Sequence, residues 1–308
     1  MRYSTIIPLL ATTVLSAPVI EQRQGATCTV PTTFPATINA KLPNPFKFFD
    51  GRAVTTKADF ACKNKEVSAA LQAQELGDFP KKPSTVTASL SGSSLSVTST
   101  EGGKSVTFSV SIKKLSGNGP FPAIIAYGAP SIPIPSSVAT ITFNNDDIAQ
   151  QQSSSSRGKG KFYDLYGKNI QTSSEIVGEN VWFSTRFNPF STKSSTLATD
   201  HHQLAGMVAP RGLIVIENEI DWLGPVATTA CMKAARLIYK SLGAPDNMGF
   251  TGSGNHNHCS FPSNQQADLT AYITKFLLNQ TANTANIERG PSGADAATYI
   301  DWSAPTLT

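Results

Sequence analysis

Apolar positions recur along this chain with different periods, and each period names an element. Residues 62–76 (CKNKEVSAALQAQEL) carry helical spacing and stop at Gly77, a residue suited to a helix C-cap. Residues 84–90, 94–99 and 105–112 alternate with period two and are separated by Ser-Gly and Glu-Gly-Gly turns, which predicts antiparallel hairpin strands. The pattern then changes: residues 122–127 (PAIIAY) and 138–143 (VATITF) are short, nearly continuous apolar runs, as in strands covered on both faces of a mostly parallel sheet. A further strand is predicted over 212–217 (GLIVIE), and helices over 227–242 and 264–278. The arm over 22–47 is rich in Pro and Thr and should cross the surface without regular structure. Residues 150–161 (QQQSSSSRGKGK) read as a polar loop.

Between Val138 and Gly212 a doubly wound sheet needs at least one more strand, with the nucleophile turn and its helix, and only loops and short polar-aromatic stretches stand there. After residues 248–251 comes NHNHCSFP (255–262), behind Gly252 and Gly254. A late histidine on a loop after the last strand is where an α/β-hydrolase carries its catalytic base, in the chain order nucleophile, acid, His. A solvated or metal-binding His-x-His fits the spacing equally well. The expected fold class is α/β: an α/β-hydrolase-like three-layer sandwich, with antiparallel N-terminal strands leading into a mostly parallel sheet. Glu217, Glu219 and Asp221 follow the strand that commonly presents the acid in such folds.

Composition narrows the class. At 308 residues and 40% hydrophobic, the chain can bury a full core, and a dispersed net charge of +4 does not argue for nucleic acid. Arg2, the apolar run over 6–15 and Ser16-Ala17 have the make-up of a secretory signal, so the expected division is a signal peptide at 1–17 and a single domain at 18–308. Ten apolar residues are too few to span a bilayer, and no later stretch is long enough. Export implies disulfide bonding of Cys28, Cys62, Cys231 and Cys259. Asn279-Gln280-Thr281 is a glycosylation sequon at a predicted helix end. His201 and His202 follow Asp200; adjacent histidines on one element point apart, which favours packing or capping. No zinc-type set of spacings is present.

Long stretches resemble the fungal glucuronoyl esterases: RGKGKFYDLYG (157–167), NIQTSSEIVGENVWFST (169–185), DHHQLAGMVAPRGLIVIEN (200–218), DWLGP (221–225) and NHNHCSFPSNQQ (255–266). The resemblance implies a secreted serine esterase that cleaves esters between 4-O-methyl-glucuronic acid on xylan and lignin alcohols, monomeric and without metal or organic cofactor. It also exposes a departure. Between the YDLYG and NIQT motifs the family carries Gly-Cys-Ser-Arg-Asn-Gly-Lys-Gly, with the nucleophile serine, and further on its usual acid, a glutamate. Here Lys168 is followed directly by Asn169. The absent text would be two or three βα units, on the order of 80 to 90 residues, and the sheet should be incomplete around 168–169.

Carried over motif by motif, the resemblance makes His258 the catalytic base, which takes the serine proton and returns it to the leaving alcohol. His256 is expected to be a loop residue or one that supports the base from behind. Gln171, Glu179 and Trp222 match sugar-binding positions, where an indole face stacks on the ring and an amide and a carboxylate meet its hydroxyls. Without the resemblance, Trp222 reads as core and Glu179 as a helix N-terminal carboxylate. The resemblance pairs Cys28 with Cys62, a bridge that would pin the irregular arm to the first helix, and leaves Cys231 and Cys259 without their partners. Two expectations follow: an esterase represented without its nucleophile segment by an incomplete gene model or splice form, or a non-catalytic relative that binds glucuronoxylan.

Overall fold

The computed structural model describes residues 28–34, 38–79, 81–144, 176–178, 182–252, 256–257 and 260–308. The expected signal peptide, the polar loop at 150–161 and the junction at 168–169 lie outside them. So do three expected site residues, Gln171, Glu179 and His258, together with Cys259.

The first helix, α1 (Lys57–Leu71), begins earlier than its apolar spacing predicts. The cause is a capping box: Asp59 N donates to Thr56 Oγ1 at 3.0 Å while Thr56 N donates to Asp59 Oδ2 at 3.0 Å. Its last turn widens into a π turn, Gln72–Leu76, before Gly77 at φ +79°. The inner face buries Phe60, Val67 and Leu71 and also an ion pair, Lys63 Nζ to Glu66 Oε2 at 3.1 Å. Phe49 closes over that pair: its backbone N–H donates to Glu66 and its ring lies 3.5 Å from Lys63 Nζ. The Cys28–Cys62 disulfide, with Cα atoms 5.6 Å apart, ties the irregular N-terminal arm to α1 as expected.

Strands β1 (Thr85–Ser91), β2 (Ser94–Glu101) and β3 (Lys104–Lys113) form an antiparallel meander. β3 continues antiparallel onto β5 (Ala139–Phe143), and β4 (Ala123–Tyr127) pairs parallel with β5, giving the order β1-β2-β3-β5-β4. The turn from antiparallel to parallel pairing falls where the hydrophobic pattern changed. Burial does not follow the pattern as closely. β1 is exposed along its whole length, and β4 leaves Ile125 60% and Tyr127 76% exposed. The expectation that β4 is covered on both faces is therefore corrected: Ile124 packs against the cluster that holds Leu269 and Ile273, while the face that carries Ile125 and Tyr127 is open among the described residues.

A second sheet, parallel and ordered β6-β7-β8, consists of β6 (Leu213–Ile216), β7 (Met248–Thr251) and a short β8 (Glu288–Arg289). Helix α2 (His201–Gly206) precedes β6, and α3 (Pro225–Ser241) crosses from β6 to β7. After β7 come α4 (Gln266–Tyr272), prolonged by a π turn over Ile273–Leu277, and the short α5 (Ala296–Tyr299). Within the described residues β4 and β6 are edges, each hydrogen-bonded on one side only. Side chains nevertheless join the two sheets. Val138, Leu269 and Ile273 form a buried cluster flanked by Ile124 of β4 and Ile216 of β6.

α3 is the central post of the core. One face places Ala234 and Ile238 among Phe46, Phe48, Phe60 and Trp302; another places Met232, Ala235 and Tyr239 against Met248 and Phe250. The α2–α3 crossing demands a glycine, because a Cβ on Gly206 would stand 2.5 Å from Ile238 Cδ1. Truncating Ile238, wholly buried, to Ala would cost about 2–5 kcal/mol.

Candidate active-site cleft

The ends of β6 and β7 organise the cleft. Beyond Ile216 the ladder makes one more bond, Glu217 N to Thr251 O at 2.8 Å, so the two chains leave the sheet together. The first path then turns: Asn218 Oδ1 accepts from Ile220 N at 2.9 Å, an Asx turn that leads into the 3-10 turn Asp221–Leu223. Gly224, at φ +69°, and Pro225 convert this turn into α3. Trp222 therefore sits, half-buried, on a short turn between a strand end and a helix start.

The second path passes close to Glu217. Gly252 N donates to Arg289 O at 2.7 Å, and a Cβ on Gly252 would lie 3.8 Å from Glu217 Cβ. The loop returns His256 to the same place, with Nε2 3.3 Å from Glu217 O and Nδ1 3.1 Å from Asn257 O. Ser131, Ile132, Glu217, Asn218, Leu223, His256, Ser260 and Phe261 line a cleft of about 280 Å³ at this point. Glu217 is half-buried and its Oε1 accepts from Asn218 N at 2.9 Å; Glu219 and Asp221 are exposed. Of the three carboxylates after β6, Glu217 is thus the one that borders the cleft. His256 is a loop residue with both ring nitrogens facing backbone carbonyls, one of which its single N–H can bond when neutral.

His201 and His202 point apart, as expected for neighbours on one element. His202 is buried, stacks on Trp302 with ring centroids 5.9 Å apart, and bonds through Nε2 to Pro43 O at 2.8 Å. His201 approaches the buried Glu75 carboxylate at 3.6 Å. Sequence spacing missed one grouping, because its members lie on different elements: Asp200 and His202 meet Cys231 of α3. Asn279 is exposed at φ +53°, just past the π turn. No helix among the described residues is long and apolar enough to cross a membrane.

A carboxylate-bearing strand end beside a late histidine loop, on adjacent parallel strands linked by a helix, is an arrangement of the α/β-hydrolase type. Comparison with known proteins narrows the class. A family described as glucuronyl esterase of fungi matches in two pieces, residues 97–174 and 167–243. The chain is 42% identical to 4-O-methyl-glucuronoyl methylesterase of Neurospora crassa, over 91% of this chain and 93% of that protein. Among solved structures, a serine-to-alanine variant of the glucuronoyl esterase from Sporotrichum thermophile, in complex with methyl 4-O-methyl-β-D-glucopyranuronate, superposes with a TM-score of 0.85. It has 40% identity and covers 92% of this chain and 100% of its own. The catalytic domain from Hypocrea jecorina gives 0.83 at 39% identity, covering 91% of this chain and 100% of its own. The chain belongs to the glucuronoyl esterase family.

Proposed function

We propose that this chain represents a secreted serine esterase of glucuronate esters that join xylan to lignin, and that, as written, it lacks the segment carrying the nucleophile between Lys168 and Asn169. The observation that carries the proposal is the break in the family match, whose two pieces meet over 167–174, where the YDLYG motif runs straight into NIQT. Alignment length supports it: 366 aligned positions take in only 91% of a 308-residue chain, so several tens of positions in the relative face nothing here. The unpaired edges of β4 and β6 are compatible with strands missing between them.

In the complete enzyme the serine would attack the uronate carbonyl, with His258 taking its proton. The alcohol would leave with that proton, and water would release the acid from the acyl-enzyme. Glu217 is the candidate to hold the histidine loop in position, and Gln171, Glu179 and Trp222 to hold the sugar. No metal or organic cofactor is needed. The complete enzyme would work as a monomer outside the cell, with a glycan on Asn279.

A second reading is a non-catalytic glucuronoxylan binder made at the short length. It is favoured by the buried cluster of Val138, Leu269 and Ile273, which gives the short chain a packed core between its two sheets. Genomic DNA across the Lys168 codon separates the two. An open frame encoding Cys-Ser-Arg-Asn-Gly there supports the first reading, and uninterrupted coding from Lys168 to Asn169 supports the second.

A further inference from the structure

Outside the cleft, the start of α2 and the middle of α3 gather three groups of metal-ligating type. A ring nitrogen of His202, the carboxylate of Asp200 and the sulfur of Cys231 lie within 4.8 Å of one another. His202 is wholly buried, and its Nε2 stands 2.8 Å from the Pro43 carbonyl oxygen. A carbonyl can only accept, so Nε2 carries the ring proton and Nδ1 keeps a bare lone pair. Nδ1 has no hydrogen-bond partner among the described residues. One ring N–H held by a backbone carbonyl, with the other nitrogen left unprotonated, is how ligating histidines are oriented.

The other two groups are also in place. Cys231 is free of any disulfide among the described residues, and the backbone N–H of His202 donates toward its sulfur, as such donors do toward metal-bound thiolates. The Asp200 carboxylate is fixed by His201 N at 2.6 Å and retains lone pairs for a further partner. Asp200 also lines a cavity of about 450 Å³ on the side away from His202 and Cys231, neither of which borders it.

We propose that Asp200, His202 and Cys231 form a binding site for a thiophilic divalent metal ion of the zinc class. The mixed nitrogen, sulfur and oxygen set suits zinc, cobalt(II) or cadmium, and does not suit calcium or magnesium, which take oxygen ligands. Charge balances: a divalent ion, one thiolate, one carboxylate and a neutral imidazole sum to zero, so burial does not penalise the filled site. As the metal–sulfur bond forms, the thiol proton passes to solvent. A water or the second carboxylate oxygen completes four-fold coordination. The site belongs to the chain made at 308 residues, in which Cys231 is free among the described residues, and so rests on the second reading above; restoring the segment would return the disulfide partner that the family resemblance implies.

The test is titration of the metal-stripped 308-residue protein with Co²⁺, followed by absorbance. The expected result is an intense near-ultraviolet sulfur-to-cobalt charge-transfer band that saturates at one equivalent and is displaced by Zn²⁺. Cys231→Ser abolishes the band, Cys259→Ser keeps it, and His202→Gln weakens Co²⁺ binding at least tenfold. Because His202 is buried and its variant can misfold, the near-isosteric Cys231→Ser decides. Absence of a thiolate band in the unaltered chain, or a band that follows Cys259 instead of Cys231, overturns the proposal.

Discussion

His256 Nε2 lies 3.3 Å from the backbone carbonyl oxygen of Glu217, a contact that fastens the loop after β7 to the chain leaving β6. The two segments that an α/β-hydrolase uses for its base and its acid are therefore already joined, although neither was placed by contact with a nucleophile. If this pairing has catalytic meaning, the carboxylate of Glu217 must matter more than those of its neighbours. In a protein with the nucleophile segment restored but that segment's own glutamate changed to Gln, Glu217→Gln should lower kcat by about a further hundredfold or more, within the range of lost acid–base assistance. Glu219→Gln, at an exposed position, should leave kcat within about threefold of the parent. Equal effects of the two changes on benzyl glucuronate hydrolysis would remove Glu217 from its assigned role.

Trp222 is expected to hold sugar through its ring face. Loss of an aromatic contact of this kind costs about 0.5–1.5 kcal/mol beyond area effects. Trp222→Ala should therefore weaken binding of methyl glucuronate roughly two- to tenfold, measured by titration calorimetry on the short chain. Unchanged affinity with an unchanged melting temperature would show that the indole does not touch the ligand.

The disulfide offers a test of the fold that is independent of function. Cys28 and Cys62 close a loop with a sequence separation of 34. Replacing both by Ser should lower stability by about 2–4 kcal/mol, read from urea unfolding. The loss should fall on the arm and α1, so their amides should exchange faster than those of β7.

The pair His201 and Glu75 predicts a pH dependence. The Glu75 hydrogen bond, against the opposing effect of burial and with help from the charges of Glu75 and Asp200, holds the His201 imidazolium above its ordinary value of 6.5. A folded value above the unfolded one means the stabilisation is fully present below pH 6.5 and is lost as pH rises through the raised folded value. With the His201 side chain 59% exposed, water screens the pair and the effect is small. Urea midpoints should show the parent's advantage over His201→Gln shrinking from pH 5 to pH 8; parallel profiles would contradict it.

What the sequence revealed follows from how local each signal is. β1, β2 and β3 were legible because their alternation and their Gly turns lie within one short stretch. The start of α1 was not, since the Thr56–Asp59 box stands upstream of the apolar spacing. Strand β4 was found but its exposure was not: a run such as AIIAY tells that a strand wants cover, not whether the chain supplies it. Glu217 could be picked out only as one of three carboxylates, because the approach of Gly252 and His256 is made by a different strand end. The grouping of Asp200, His202 and Cys231 has no spacing signature at all; the crossing of α2 on α3, permitted by Gly206, creates it.

The proposed function pairs an esterase scaffold that is present with a nucleophile that is not. The most direct measurement is hydrolysis of benzyl glucuronate by the purified 308-residue chain beside the same chain with the segment restored between Lys168 and Asn169. The expected result is release of benzyl alcohol by the restored protein only, at a rate abolished by His258→Ala. Turnover by the short chain itself, at its short mass and above the uncatalysed rate, would contradict the account and require a nucleophile elsewhere in the molecule.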